Sequence, residues 1–360
     1  MRIRFRLADI LREYKLDQAG YKTEIASAVG CSRNTLDGLL RGKPASLRLE
    51  NIERLITWLV KKDVPSEKFP GILFGRDDLW DRVCDAARLD IVLGETPVPW
   101  TSDTVSEMVA TRDLEVAAKI VQELTLRSHR TSNLHYEYVR IQYSDANDVP
   151  AEHRAHAIRL FDAMRKRQLQ KSSQPSVAFF VGSQRKNLLV ELLMASCFGC
   201  KPFVSTPGGH RVPFYLMYRD RVPNLPSCFG GRTPPKMANP TSEPGIYYRA
   251  PDGWHFLPHV VPTDDAGVVF ITFQEKTEAT EVALFGFSSA ATLALGLYFL
   301  ENADAFWPPV ATVAGRRAGA YICRLNWTNP SAETDCEVIP MSKEILEGNS
   351  ARSGDAARRA

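Results

Sequence analysis

Three short runs of small polar residues have the composition of anion-binding turns: Leu93-Gly94-Glu95-Thr96, Gly182-Ser183-Gln184-Arg185-Lys186-Asn187 and Gly286-Phe287-Ser288-Ser289-Ala290-Ala291-Thr292. A Gly-Ser or Ser-Ser turn that opens a helix presents free backbone N–H groups and the positive end of the helix dipole, which suit a phosphate or carboxylate. The candidate ligand contacts are Gly94, Glu95, Gly182, Ser183, Arg185, Asn187, Gly286, Ser288 and Ser289, with Lys186 adding charge. No run is the GxxxxGK[S/T] phosphate loop or the full GxGxxG fingerprint. The plain alternative is that strand-to-helix turns need glycine and helix N-termini need serine.

Groups able to move a proton are Glu95, Asp103, Asp113, His210, His255 and His259. His255 and His259 lie four apart in GWHFLPHVV, but Pro258 between them rules out an uninterrupted helix and hence a metalloprotease-type pair. Packing is the simpler role for them. No GxSxG elbow or HExxH occurs, nor any DxD pair near a phosphate loop. Seven scattered cysteines suggest a reduced compartment without a disulfide framework. Cys197 and Cys200 have metal-knuckle spacing, yet no second pair follows, and they end an apolar helix. No metal and no cofactor is expected.

These groups need a scaffold, and the apolar pattern supplies one. Strand-like runs are LDIVL (89–93), YEYVRIQY (136–143) and SVAFFV (176–181); helix-like segments cover 115–126, 152–169 and 188–198. A Gly/Pro-rich zone, 202–262, carries short β runs and reads as an antiparallel insertion. The alternation then resumes with GVVFITF (267–273), VALF (282–285), a helix at 290–301 and GAYICRL (319–325). Strand–helix alternation predicts a parallel α/β sheet, and such sheets bind ligands at the carboxyl ends of their strands. The region is similar in outline to nucleotide-binding, Rossmann-like sensor domains, without a diagnostic motif.

The N-terminal residues form a different unit. In KTEIASAVGCSRNTLDGLLRGK (22–43), Ala26 is small enough for two helices to cross closely, and Gly30 is free to turn. Ser32 can cap a second helix, Leu36 and Leu39 face inward, and Gly42 can stop that helix. With Cys31, these residues match in register the pattern of the phage repressor/Cro family, which the stretch from about 5 to 62 resembles. An amphipathic helix at 7–14 precedes it, and another at 49–61 follows, with Ile52, Leu55, Ile56 and Leu59 at helical spacing. The resemblance implies double-stranded DNA as partner, with the helix 32–40 in the major groove. Arg33 would then grip guanine, Asn34 adenine, and Thr35 a thymine methyl or phosphate. Ser32 opens that helix, and Lys22, Arg41 and Lys43 are placed for phosphates. Gly38 stands where the family often carries a base-reading side chain, which implies a narrower footprint.

Charge follows the same division. The chain holds 45 Lys/Arg and 42 Asp/Glu, but residues 1–62 hold 13 against 7, so the basic excess sits with the expected DNA contacts. There is no run of 18 apolar residues to span a membrane, and MRIRFRLADILREY lacks the apolar core of a signal peptide. The expected location is therefore cytoplasmic. The expected architecture is multidomain: an all-α helix-turn-helix domain (1–62), a linker (63–87), an α/β Rossmann-like domain with an antiparallel β insertion (88–335) and a flexible tail (336–360). A regulator sensing a small anionic or nucleotide-like ligand, acting as a homodimer, is the favoured reading. The competing class is a nucleotide-processing enzyme with an accessory DNA-binding head.

Overall fold

A computed structural model of the chain describes residues 3–4, 7, 10–11, 14–16, 18, 20–40, 48–64, 75–76, 79–101, 104–127, 133–140, 151–169, 175–204, 211–219, 226–232, 235–237, 242–261, 263–327 and 335–351. The chain divides into two compact units, Met1–Asp78 and Leu79–Ala360.

The first unit opens with strand β1 (Ile3–Arg4), followed by helices α1 (Tyr21–Val29), α2 (Arg33–Leu40) and α3 (Leu49–Val60), and closes with β2 (Gly75–Arg76). Ile25 and Val29 of α1, Leu36 and Leu39 of α2, and Leu55, Trp58 and Leu59 of α3 meet Leu7, Ile10, Leu11 and Val64 in one core. The spacing of three or four residues within each helix gives each a single apolar face. The unit is not wholly helical, which corrects the all-α expectation. β1 and β2 pair antiparallel, so the two ends of the unit satisfy each other's backbone groups. The unit also runs past residue 62, where the sequence suggested a linker.

The second unit is mixed α/β. In chain order it contains α4 (Leu79–Asp85), β3 (Arg88–Thr101), β4 (Thr104–Val109), α5 (Thr111–Arg127), β5 (Asn133–Arg140), α6 (Ala151–Leu169), β6 (Ser176–Val181) and α7 (Leu188–Phe198). There follow β7 (Phe214–Met217), β8 (Gly230–Gly231), β9 (Gly245–Ala250), β10 (Gly253–Pro258), β11 (Asp264–Gln274), β12 (Ala279–Gly286) and α8 (Ser289–Glu301). The last elements are β13 (Ala311–Val313), β14 (Arg316–Asn326), β15 (Asp335–Pro340) and α9 (Lys343–Ala351). A nine-stranded sheet runs β13-β14-β11-β12-β6-β3-β4, with β15 on β14 and β5 on β3; β10-β9-β7-β8 form a smaller sheet.

Both faces of the large sheet are covered, and alternate residues of each central strand serve opposite layers. Val268 and Phe270 of β11 join the layer containing α7 and the smaller sheet, whereas Val269, Ile271 and Phe273 join the layer of α4, α5 and α8. Helix α7 is buried almost all round, so its sequence LLVELLMASCF shows no polar face.

Three expectations need correction. The sheet is mixed: β5, β3, β6 and β12 are parallel neighbours, but β11–β12 and β11–β14 are antiparallel. The four residues 275–278 between β11 and β12 are too few for a crossover and force a hairpin. The supposed linker 63–87 contains α4, because Leu79, Trp80 and Val83 recur at helical spacing and are buried against the sheet. The supposed tail 336–360 contains most of β15, which pairs with β14, and α9, whose Leu346 is fully buried.

Candidate functional site

The turn between α1 and α2 is built on Gly30, whose φ of 71° and ψ of 35° are left-handed. The N–H groups of Gly30 and Cys31 both donate to the Ala26 carbonyl, closing α1. The Ser32 hydroxyl then accepts the Thr35 N–H at 3.1 Å and starts α2. With Leu36 and Leu39 buried, the opposite face of α2 places Ser32, Arg33 and Asn34 in solvent, with Thr35 half-buried. Arg33 Nη2 donates to Thr23 Oγ1 at 2.7 Å, and Lys22 Nζ pairs with Asp37 at 2.9 Å. Both contacts tie the outer face of α2 to α1. Glu24 accepts from Trp58 Nε1 and pairs with Lys62 at 2.8 Å, and the Lys62 contact holds its carboxyl below the usual range. Gly38 is half-buried; Arg41 and Lys43 lie outside the described residues.

In the second unit the expected ligand turns of β6 and β12 stand at the same edge, since those strands are parallel with Leu284 beside Val181. The chain's own groups occupy these turns. The Asn187 side chain accepts the Leu189 N–H at the start of α7 and donates to the carbonyls of Val92 and Val181. Ser288 Oγ caps α8 by accepting the Ala291 N–H. A Cβ on Gly94 would stand 1.3 Å from the Lys186 carbonyl oxygen, so the 182–187 turn rests on the Gly94 backbone. Gly286 likewise lies against the backbone of Ala291 and Thr292. Gly94 and Gly286 therefore serve close packing, and Asn187 caps α7. Gly182 and Ser183 are buried, Glu95 half-buried opposite Val109, and Ser289 exposed.

Two groupings remain chemically open. Asp113, in the first turn of α5, is 2% exposed and points its Oδ2 at Gly182. Burial raises its carboxyl to about 6 against the opposing pull of the Lys186 ammonium. Burial and the neighbouring Arg185 in turn lower Lys186, although Asp113 opposes this.

The second grouping surrounds Tyr218, just beyond β7. Gln184 Nε2 donates to its hydroxyl, the Arg185 guanidinium lies 4.6 Å from its ring centre, and Phe287 stacks on it at 5.6 Å. Phe287 also meets the His259 ring at 4.8 Å. The turns after β6 and β12 thus converge on one tyrosine. Beside them opens a cleft of ≈ 690 Å³, whose lining includes Tyr218, Arg219, Ser242, His259, Val260 and Val261. Sequence reasoning singled out His259 but missed Tyr218, Arg219 and Asp265, whose Oδ2 stands 3.1 Å from His259 Nδ1.

The other candidates do not join these groupings. His255 is exposed and pairs with Asp252 at 2.8 Å. Asp103 and His210 lie outside the described residues. Cys197 is buried, which pushes its thiol up to about 11 despite the Arg316 guanidinium nearby. Among the described residues no metal-binding cluster occurs, and no helix is long and apolar enough to cross a membrane. In comparisons with known proteins, no family model, curated protein or solved structure matches the chain.

Proposed function

We propose that the chain is a sequence-specific, double-stranded-DNA-binding transcriptional regulator. A helix-turn-helix head would read the major groove, while a Rossmann-like second unit senses a small anionic or nucleotide-like ligand. One observation carries this reading. Around the Gly30 turn, α2 buries Leu36 and Leu39 and leaves Arg33 and Asn34 in solvent at its N-terminal end, the end that such helices press against base edges. The register match to the phage repressor/Cro pattern and the basic excess of residues 1–62 support it. One head spans few base pairs, so the regulator acts as a homodimer on two half-sites.

The test is selection of bound sequences from a random duplex pool, followed by fluorescence anisotropy. Arg33→Ala is expected to lose about 1–3 kcal/mol of discrimination at one base pair, measured against the selected and the substituted site. Equal affinity of the parent chain for selected and random duplexes refutes the reading.

Asp113 favours a second reading, a nucleotide-processing enzyme with an accessory DNA-binding head. A carboxyl at about 6 exchanges its proton near neutral pH, as a general base must. Nucleotide turnover that disappears in Asp113→Asn would establish that alternative.

A further inference from the structure

We propose that the cleft beside Tyr218 binds a small molecule with one planar ring and one anionic group, of the nucleoside-monophosphate class. This inference rests on the reading of the second unit as a sensor and places its ligand away from the capped helix ends. The fold builds the site deliberately. After β10 the chain reverses in a tight turn: the Val260 N–H donates to the Asp264 carbonyl, and the Thr263 and Asp264 N–H groups donate to that of Val260. The turn returns Asp265 to the side of His259. Asp265 is 1% exposed; its Oδ1 accepts the Ala266 N–H, and its Oδ2 stands 3.1 Å from His259 Nδ1.

That contact lies off the line of a hydrogen bond, and neither atom has an in-line partner among the described residues. Buried polar groups are normally satisfied, so an unaligned carboxylate behind an imidazole that lines a cleft marks a site whose geometry tightens on binding. With Nδ1 turned towards Asp265, Nε2 is left for a ligand.

The remaining lining sets the ligand class. Arg219 is exposed and brings one cation to the lining; Glu243, also in the lining, is already engaged within the chain. One exposed guanidinium beside one histidine matches a single anionic group. Pro244, Pro258, Val260 and Val261 supply an apolar wall, the two valines 47% and 67% exposed. An apolar wall with a few converging polar groups, at this volume, is the usual make-up of a small-molecule site.

The experiment is isothermal titration of the full chain with AMP, GMP, CMP and UMP, and separately with adenosine and inorganic phosphate. At least one nucleotide is expected to bind with Kd below about 1 mM, and adenosine and phosphate about tenfold more weakly or worse. Arg219→Ala, at an exposed position, and His259→Gln should each weaken that nucleotide by about tenfold, with circular dichroism confirming the fold. Failure of all four nucleotides, or binding unchanged in both variants, overturns the inference. A chain that discriminates among DNA duplexes but binds none of the nucleotides overturns this inference alone.

Discussion

Asp113 places a pH-dependent burden on the second unit that a single substitution should remove. Its carboxyl is raised to about 6, from an ordinary 3.8, chiefly by burial. A raised carboxyl binds its proton more tightly in the folded than in the unfolded chain. Below the lower value both states are protonated and nothing is lost. Between the two values the unfolded chain ionises first, so stability falls as pH rises, and above about 6 the full deficit persists. At ~1.36 kcal/mol for each tenfold ratio, the gap amounts to as much as about 3 kcal/mol. Asp113→Asn mimics the protonated carboxyl in shape. It should therefore stabilise the unit by about 2–3 kcal/mol near pH 8 and by almost nothing near pH 3.5, the lower figure allowing for the lost attraction of a carboxylate to the N-terminus of α5. Urea unfolding at both pH values, with pulsed hydrogen exchange of β6 and α5 reporting on this unit, measures the difference. A variant that is no more stable than the parent near pH 8, or whose gain is the same at both pH values, refutes the reasoning.

Two further substitutions probe the two units separately. Gly30→Ala forces a side chain into left-handed backbone and places its Cβ 2.7 Å from Arg54 Nη1, a mobile tip that can give way. The expected cost is the backbone term, about 1–2 kcal/mol, read as hydrogen exchange of α1 and α2 about 5–30-fold faster with that of β6 unchanged. Asn187→Ala removes the α7 cap and leaves the Val92 and Val181 carbonyls without their side-chain donor. It should cost the second unit about 2–4 kcal/mol in urea unfolding, whereas Asn187→Ser, which restores the cap bond alone, should fall between it and the parent.

The strands were legible where both faces are buried. SVAFFV, GVVFITF and VALF are continuous apolar runs because alternate residues feed opposite layers. Their directions were not, because strand–helix alternation hides the EKTE turn at 275–278, whose shortness alone decides for a hairpin. Helix α4 escaped notice because its seven residues, with Leu79, Trp80 and Val83 as its buried apolar side chains and a buried Arg82 among them, make too brief a pattern beside the prolines of 63–76. The candidate ligand turns show a deeper ambiguity. Glycine, serine and asparagine serve an anion and a helix N-terminus through the same free N–H groups, so composition could not separate Asn187 the cap from Asn187 the ligand contact. The pairing of His259 with Asp265 depends on the Val260–Asp264 turn, and no residue type announces that proximity.

On the proposed reading, the head is preorganised at small energetic expense, as recognition of base edges would demand. Arg33 is held by Thr23, and Lys22 by Asp37, each contact bridging α1 and α2 on the exposed side. Long cationic side chains lose rotamer freedom on binding, so restraint in the free chain lowers the entropy to be lost later. An exposed ion pair such as Lys22–Asp37 contributes only about 0–1 kcal/mol, little enough for a phosphate to displace on the proposed reading. Asp37 has a further consequence. If Lys22 turned to a phosphate, as the proposed reading has it, the Asp37 carboxylate on the outer side of α2 would lose this ion pair and would repel the DNA backbone unless it accepted from a cytosine amino group. On the proposed reading, Asp37→Asn should raise affinity for random duplexes while reducing preference for the selected one, and anisotropy on the two duplexes distinguishes that pattern from uniform loss.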